Sequence, residues 1–159
     1  MTQKQLSKWL KAVLIGLLLC LVGVYGYVIP EMGGRLKELY PEFASRYFPW
    51  IIFIMLTAIP CLMILLLGWK IADSIGNCRV FSTLNEHRCK KIAVLCIADC
   101  AFFFLGNLVY LFLNLSHPAV LIASLFVLFL GISLAVVFSI LGNLIGTAAQ
   151  IEEENRMTI

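Results

Sequence analysis

Four long apolar runs, at about 10–29, 50–69, 92–115 and 119–148, alternate with short polar segments along this chain. Each run approaches or exceeds the roughly 20 residues that a helix needs to cross a hydrocarbon core of about 30 Å. The pattern predicts an all-α integral membrane protein, one domain over 1–159, built from four antiparallel transmembrane helices. The sizeable polar segment between two such runs is 70–91, where Lys70, Arg79, Arg88, Lys90 and Lys91 stand against Asp73 and Glu86. An excess of Lys and Arg holds a short loop on the cytoplasmic side. Lys4, Lys8 and Lys11 precede the first run and Arg156 follows the last, whereas Arg35, Lys37 and Arg46 are balanced by Glu31, Glu38 and Glu42. The expected topology is a multi-pass protein of the cell membrane, with both termini and a helical 70–91 elbow in the cytoplasm.

The first run is too long for the h-region of a signal peptide and no A-x-A-like site follows it, so it reads as an uncleaved span. Gly16, Cys20 and Gly23 set small residues along one stripe, where a neighbouring helix can approach closely. Pro30, Gly33, Gly34, Pro41 and Pro49 punctuate the next segment, which predicts a break followed by one or two short interfacial helices carrying Leu36, Leu39, Tyr40, Phe43 and Tyr47. Phe48 and Trp50 would belong to the aromatic belt. Pro60 should bend the second span, with Thr57 or a neighbouring helix satisfying the carbonyl it frees.

Gly76 and Asn77 read as a helix stop. Ser82 or Thr83 caps the next helix; Thr83 and Glu86 have capping-box spacing, and Phe81 is placed to staple onto the helix. That helix runs through Lys90 and Lys91 into the third span, and Ser116, His117 and Pro118 turn the chain back. From Ala119 to Glu154 the last helix would measure about 54 Å against a core of about 30 Å, so it should overhang the membrane. Gly142 and Gly146 form a GxxxG pair, suited to close contact inside the bundle or between protomers of a homo-oligomer.

Composition agrees with the bilayer as solvent, since 62% of residues are hydrophobic and 13% charged. A soluble surface needs about a quarter charged. The formal charge of +3 is too small and too local for direct nucleic-acid binding. No catalytic triad, HExxH motif, paired cytoplasmic carboxylates or glycine-rich phosphate loop occurs, so no catalysis and no cofactor are expected. Cys78, His87 and Cys89 share the elbow but lack paired CxxC spacing, and all six cysteines are expected to be reduced and packed or inert, with no metal site.

The candidate chemistry lies in the third span. At about 100° per residue, Cys96, Asp99, Phe103, Asn107, Tyr110 and Asn114 fall within an arc of roughly 80°, a polar stripe that must face the bundle. Asp99 should point inward and be protonated or hydrogen-bonded, with Ser133 as first candidate partner and Lys11 as second. The stripe reads either as interhelical hydrogen bonding or as a path for a small solute or a proton.

Val80-Phe81-Ser82 followed by Lys91-Ile92, and an ending Glu153-Glu154-Asn155-Arg156-Met157-Thr158-Ile159, resemble the bacterial membrane-protein family of unknown function DUF2975. Arg156 and Met157 stand where that family usually has an acidic residue and a leucine. The resemblance implies four helices, a bacterial cell membrane, and a frequent gene neighbour encoding a small Cro/C1-type helix-turn-helix regulator. It implies no activity. The functional expectation is a regulatory partner whose cytoplasmic surface docks such a regulator or another membrane protein, the alternative being proton-coupled transport around Asp99. Candidate docking residues are Arg79, Phe81, Arg88, Lys90, Lys91, Glu153, Glu154, Asn155, Thr158 and Ile159. Glu152, Glu153 and Glu154 are expected to meet the basic elbow, and the apolar tip Met157, Thr158 and Ile159 to pack on Phe81 or in a partner's groove.

Overall fold

The computed structural model describes residues 2–39, 47–114 and 118–157. Its elements are α1 (Gln3–Gly23), a π-helical turn (Val24–Val28), α2 (Ile29–Leu39), α3 (Tyr47–Gly76), α4 (Thr83–Phe112) and α5 (Pro118–Met157). Four helices are long and apolar enough to cross a membrane: Gln3–Leu39, Tyr47–Gly76, Thr83–Phe112 and Val120–Asn155. Their outward faces carry large apolar side chains, among them Leu19 at 67% exposure, Leu66 at 65%, Val94 at 65% and Phe126 at 69%. Apolar surface of this extent is stable only against lipid or another apolar partner.

The break expected at Pro30 does not occur. The helix continues from Gln3 to Leu39 because the turn before the proline widens: the Ile29 amide donates to the Val24 carbonyl, a π-type bond five residues back. Proline lacks an amide hydrogen and its ring crowds the carbonyl four residues earlier, so a wider turn there removes the conflict that would otherwise end a helix. Gly33 lies on this extension, against the Tyr47 and Trp50 rings at the start of α3. The expected interfacial residues Tyr40 and Phe43 lie outside the described residues, as do Ser116 and His117 of the α4–α5 turn.

Contacts between consecutive helices run in opposite order along their sequences. Ser7 Oγ donates to the Ala72 carbonyl at 2.7 Å, Lys11 pairs with Asp73 at 2.5 Å, Leu14 packs at Gly68, and the Tyr25 and Thr57 hydroxyls meet at 2.6 Å. Between α3 and α4, Phe53 packs at Gly106 and stacks on Phe103 with ring centres 6.3 Å apart, Cys61 meets Asp99, and Ser74 meets Arg88. Between α4 and α5 the pairs are Cys100 with Gly131, Cys89 with Gly142, and Glu86 with Gly146.

The buried core includes Ile71, Cys89, Ile92, Ala93, Cys96, Ala135 and Ile145, with Ile64, Leu67, Ile75 and Phe138 packed around it. Its small members matter most. Helices in lipid gain no hydrophobic drive from meeting one another, so they associate through close backbone approach and dispersion contacts. All six cysteines are free; Cys89, Cys96 and Cys100 are buried and act as small packing side chains.

Two glycine expectations resolve in opposite directions. Gly142 and Gly146 are buried against α4 of the same chain, where an added Cβ would stand 3.2 Å from Cys89 Cβ and 2.5 Å from Glu86 Oε2. That face is therefore occupied within the chain and is not left open for a second protomer. Gly16 and Gly23 have nothing within 4 Å and Cys20 is exposed, so the small-residue stripe of α1 lies on the outer surface, away from any neighbouring helix among the described residues.

Candidate functional site

A polar cluster forms midway along the helices, where Asp99 of α4 faces α3. The Cys61 thiol donates to Asp99 Oδ2 at 3.4 Å, while Oδ1 is buried with no hydrogen-bond partner among the described residues. One turn further along α3, Thr57 is buried; its hydroxyl donates to the Ile54 carbonyl at 2.7 Å and is shared with Tyr25 at 2.6 Å. Tyr25 lies in the π turn, and Pro60 lies between Thr57 and Cys61. Polar groups thus gather beside the π turn of the first helix and the proline of α3.

This placement corrects the expected partners of Asp99. Ser133 is exposed and its hydroxyl folds back onto the Phe129 carbonyl at 2.8 Å, the usual fate of a serine on a helix surface facing lipid. Lys11 is engaged with Asp73 and sits over the Trp69 ring, 5.3 Å from its centre. Thr57 serves the Ile54 carbonyl rather than the Leu56 carbonyl, the one Pro60 leaves without its usual donor.

The rest of the stripe divides. Asn107 is buried and donates to the Phe103 carbonyl at 2.8 Å, and the Tyr110 ring packs 5.8 Å from that of Phe53, so both face the bundle. Asn114 does not. It is exposed with φ of 55°, just past the end of α4 at Phe112, a left-handed conformation that asparagine tolerates better than most residues. Regular 100° spacing stops applying where the helix stops.

At the other end of α4, the 77–82 connection is held by one buried side chain. Asn85 is fully buried; its Nδ2 donates to the Arg79 and Val80 carbonyls at 3.1 and 3.0 Å, and its Oδ1 accepts from Arg88 Nη1 at 2.9 Å. Arg88 Nη1 also reaches Ser74 Oγ at 3.0 Å and the Lys70 carbonyl at 3.1 Å, tying α4 to the last turns of α3. Hydrogen bonds to a charged donor are worth about 1.5–3 kcal/mol each. Arg88, one of the expected docking residues, is therefore engaged as a tie within the chain.

Local chemistry sets the borders of this connection. Ser82 is the cap of α4, its hydroxyl accepting from the Asn85 amide at 3.3 Å. The box expected between Thr83 and Glu86 is replaced, for Glu86 pairs with Lys90 at 2.6 Å. On the α3 side the left-handed residue is Cys78, with φ of 56°, while Gly76, the last residue of α3, leaves room for Ser7, whose Oγ would lie 2.9 Å from any Cβ there. Of the remaining docking candidates, Arg79, Phe81, Lys91, Glu153, Glu154 and Asn155 are exposed, and Lys90 is exposed but paired. Thr158 and Ile159 lie outside the described residues. Nothing in the pattern of apolar runs singles out Tyr25, Thr57, Cys61 or Asn85; the signal available is that each is a hydrogen-bonding side chain in or beside a long helix.

The family model described as a protein of unknown function (DUF2975) matches residues 31–159. The chain belongs to this family. A similar protein of Bacillus subtilis strain 168, called uncharacterized membrane protein YoaS, is 26% identical over 135 residues, covering 84% of each chain. No solved structure matches. The DUF2975 match includes α3, α4, α5 and most of α2, and so covers Asp99, the Asn85 tie and the far end of α5, but leaves out α1 with Ser7 and the π turn with Tyr25.

Proposed function

We propose that this DUF2975 protein is a non-catalytic, multi-pass protein of the cell membrane, with both termini cytoplasmic, whose last helix docks a cytoplasmic regulatory protein. The observation that carries the reading is the solvent-exposed last stretch of α5. Its last buried residues are Ile145 and Gly146, against the first turn of α4, yet the helix continues to Met157. At 1.5 Å per residue the stretch beyond Gly146 extends about 16 Å. It presents Ile151 at 54% exposure and Met157 at 75%, with Glu152 and Glu153 alongside. A helix of this kind, apolar on one part and acidic on another, fits a groove with a basic rim, the helix-in-groove mode of recognition. A small helix-turn-helix regulator, the gene neighbour that the family resemblance implies, has that basic character.

Co-expression with the regulator encoded nearest to its gene, followed by affinity purification in mild detergent, tests the reading. Wild type should recover the regulator, and a chain truncated after Gln150 should lose at least about tenfold while still inserting in the membrane, since the apolar run at about 119–148 is kept. Equal recovery by both chains would refute it. A second reading, transport of a proton or small solute, is favoured by the buried, unpartnered Oδ1 of Asp99.

A further inference from the structure

The corner between α3 and α4 carries a second feature, on the side of α4 turned toward α3. A cleft of about 380 Å³ opens there, lined by Lys70, Asp73, Ser74, Asn77, Arg79 and Arg88, with Ser82 and Leu84 of the α4 start closing it. Its charge is one-sided. Asp73 is offset by its ion pair with Lys11, and Arg88 Nη1 is committed to the walls. Among the described residues, neither the Lys70 ammonium nor the Arg79 guanidinium has an acidic or hydrogen-bonding partner. Two cations therefore face a polar cleft without the anions that would balance them.

The cleft also has a definite depth. Trp69, directly before Lys70, is 38% exposed and covered by Lys11, the position of an aromatic at the membrane boundary. One turn deeper on α3, Leu66 is 65% exposed, while Leu84 in the cleft lining is 58% exposed and Phe81, the neighbour in sequence of the lining residue Ser82, is 55% exposed. A soluble anion would gain nothing from these apolar neighbours. A lipid uses both halves, its charged headgroup among the cations and its chains along the apolar rim. Basic pockets between helices at this level are suited to anionic headgroups, each Lys or Arg near the surface contributing about fivefold in affinity.

We propose that this cleft binds the phosphate-bearing headgroup of an anionic phospholipid, held by Lys70 and Arg79, with Leu84 seated against the upper acyl carbons. Arg88 and Asn85 keep the two walls at their spacing. The site is separate from the end of α5, so it stands whether or not that helix docks a partner.

Native mass spectrometry of the purified full chain, from micelles doped with phosphatidylglycerol or with phosphatidylcholine, reads retained lipid directly. Phosphatidylglycerol should be retained preferentially, and Lys70→Gln and Arg79→Gln should each lower that preference about fivefold. Lys91→Gln, exposed but outside the cleft, should leave the preference unchanged, and circular dichroism with gel filtration checks that every variant is folded. Equal retention of the two lipids, or a preference that survives the combined K70Q and R79Q change, would overturn the proposal. Displacement of the lipid by millimolar inorganic phosphate would overturn it as well and assign the cleft to a soluble anion.

Discussion

Asp99 has one oxygen facing a thiol and the other facing no partner among the described residues, in a helix long and apolar enough to cross a membrane. A thiol is a weak donor, so Cys61 meets only part of what a carboxyl group can accept. Asparagine keeps an acceptor for Cys61 and adds donors that need no charge. If the cluster is a packing element, Asp99→Asn leaves the detergent melting temperature within a few degrees of wild type, and vesicles containing either protein are equally permeable to protons. A variant that folds normally but loses a proton flux present in wild type would transfer the function from the α5 end to this cluster. Burial at this residue was legible in the sequence because a lone carboxylate in an apolar run has nowhere else to go. Its partner was not, because depth counted along two helices ignores the rotation of each about its own axis: Ser133 faces outward, and Cys61, which no polarity scale marks, faces Asp99.

Glycine means different things in different helices. Along α4–α5, Gly131 and Gly146 admit Cys100 and Glu86 to distances that a Cβ would forbid, Gly142 meets Cys89 where a Cβ would be tight, and this seam builds much of the buried core. At Gly131 the obstacle is the Cys100 thiol, and with Cys100 Cβ itself 3.2 Å from an added Cβ, turning the thiol aside still leaves a tight contact. Gly131→Ala should therefore destabilise by about 1–3 kcal/mol, as overpacking does. Gly16→Ala, with nothing within 4 Å, should be neutral or stabilising by up to about 1 kcal/mol through helix propensity. Thermal unfolding of the two variants in one detergent compares them, and a Gly131→Ala protein as stable as Gly16→Ala would mean that the seam is looser than described. Gly16, like Gly142 and Gly146, sits in a pattern that promises close packing. The spacing of small residues says only that a stripe exists, while the number of neighbouring helices and their rotation decide whether anything lies against it.

For the molecule as a whole, the proposed orientation can be read from a native reporter. Cys78 is exposed in the 77–82 connection, Cys20 lies on the apolar outer face of α1, and Cys89, Cys96 and Cys100 are buried. A membrane-impermeant maleimide should therefore leave intact cells unlabelled, label about one thiol per chain after permeabilisation, and lose that signal in Cys78→Ser. Labelling of Cys78 in intact cells would invert the topology and with it the cytoplasmic docking of α5. The four membrane-length helices and the overlong α5 were determined by the sequence alone, because the number of consecutive apolar residues and the thickness of a bilayer are both local quantities. The tertiary structure decided what local quantities cannot reach. It carried the first helix through Pro30 by widening one turn, placed Asn85 and Arg88 as the tie between α3 and α4, and turned Gly142 and Gly146 inward. Each of those outcomes depends on the rotation of one helix against another, which is set by side-chain packing across the whole bundle and is not encoded in any single stretch of chain.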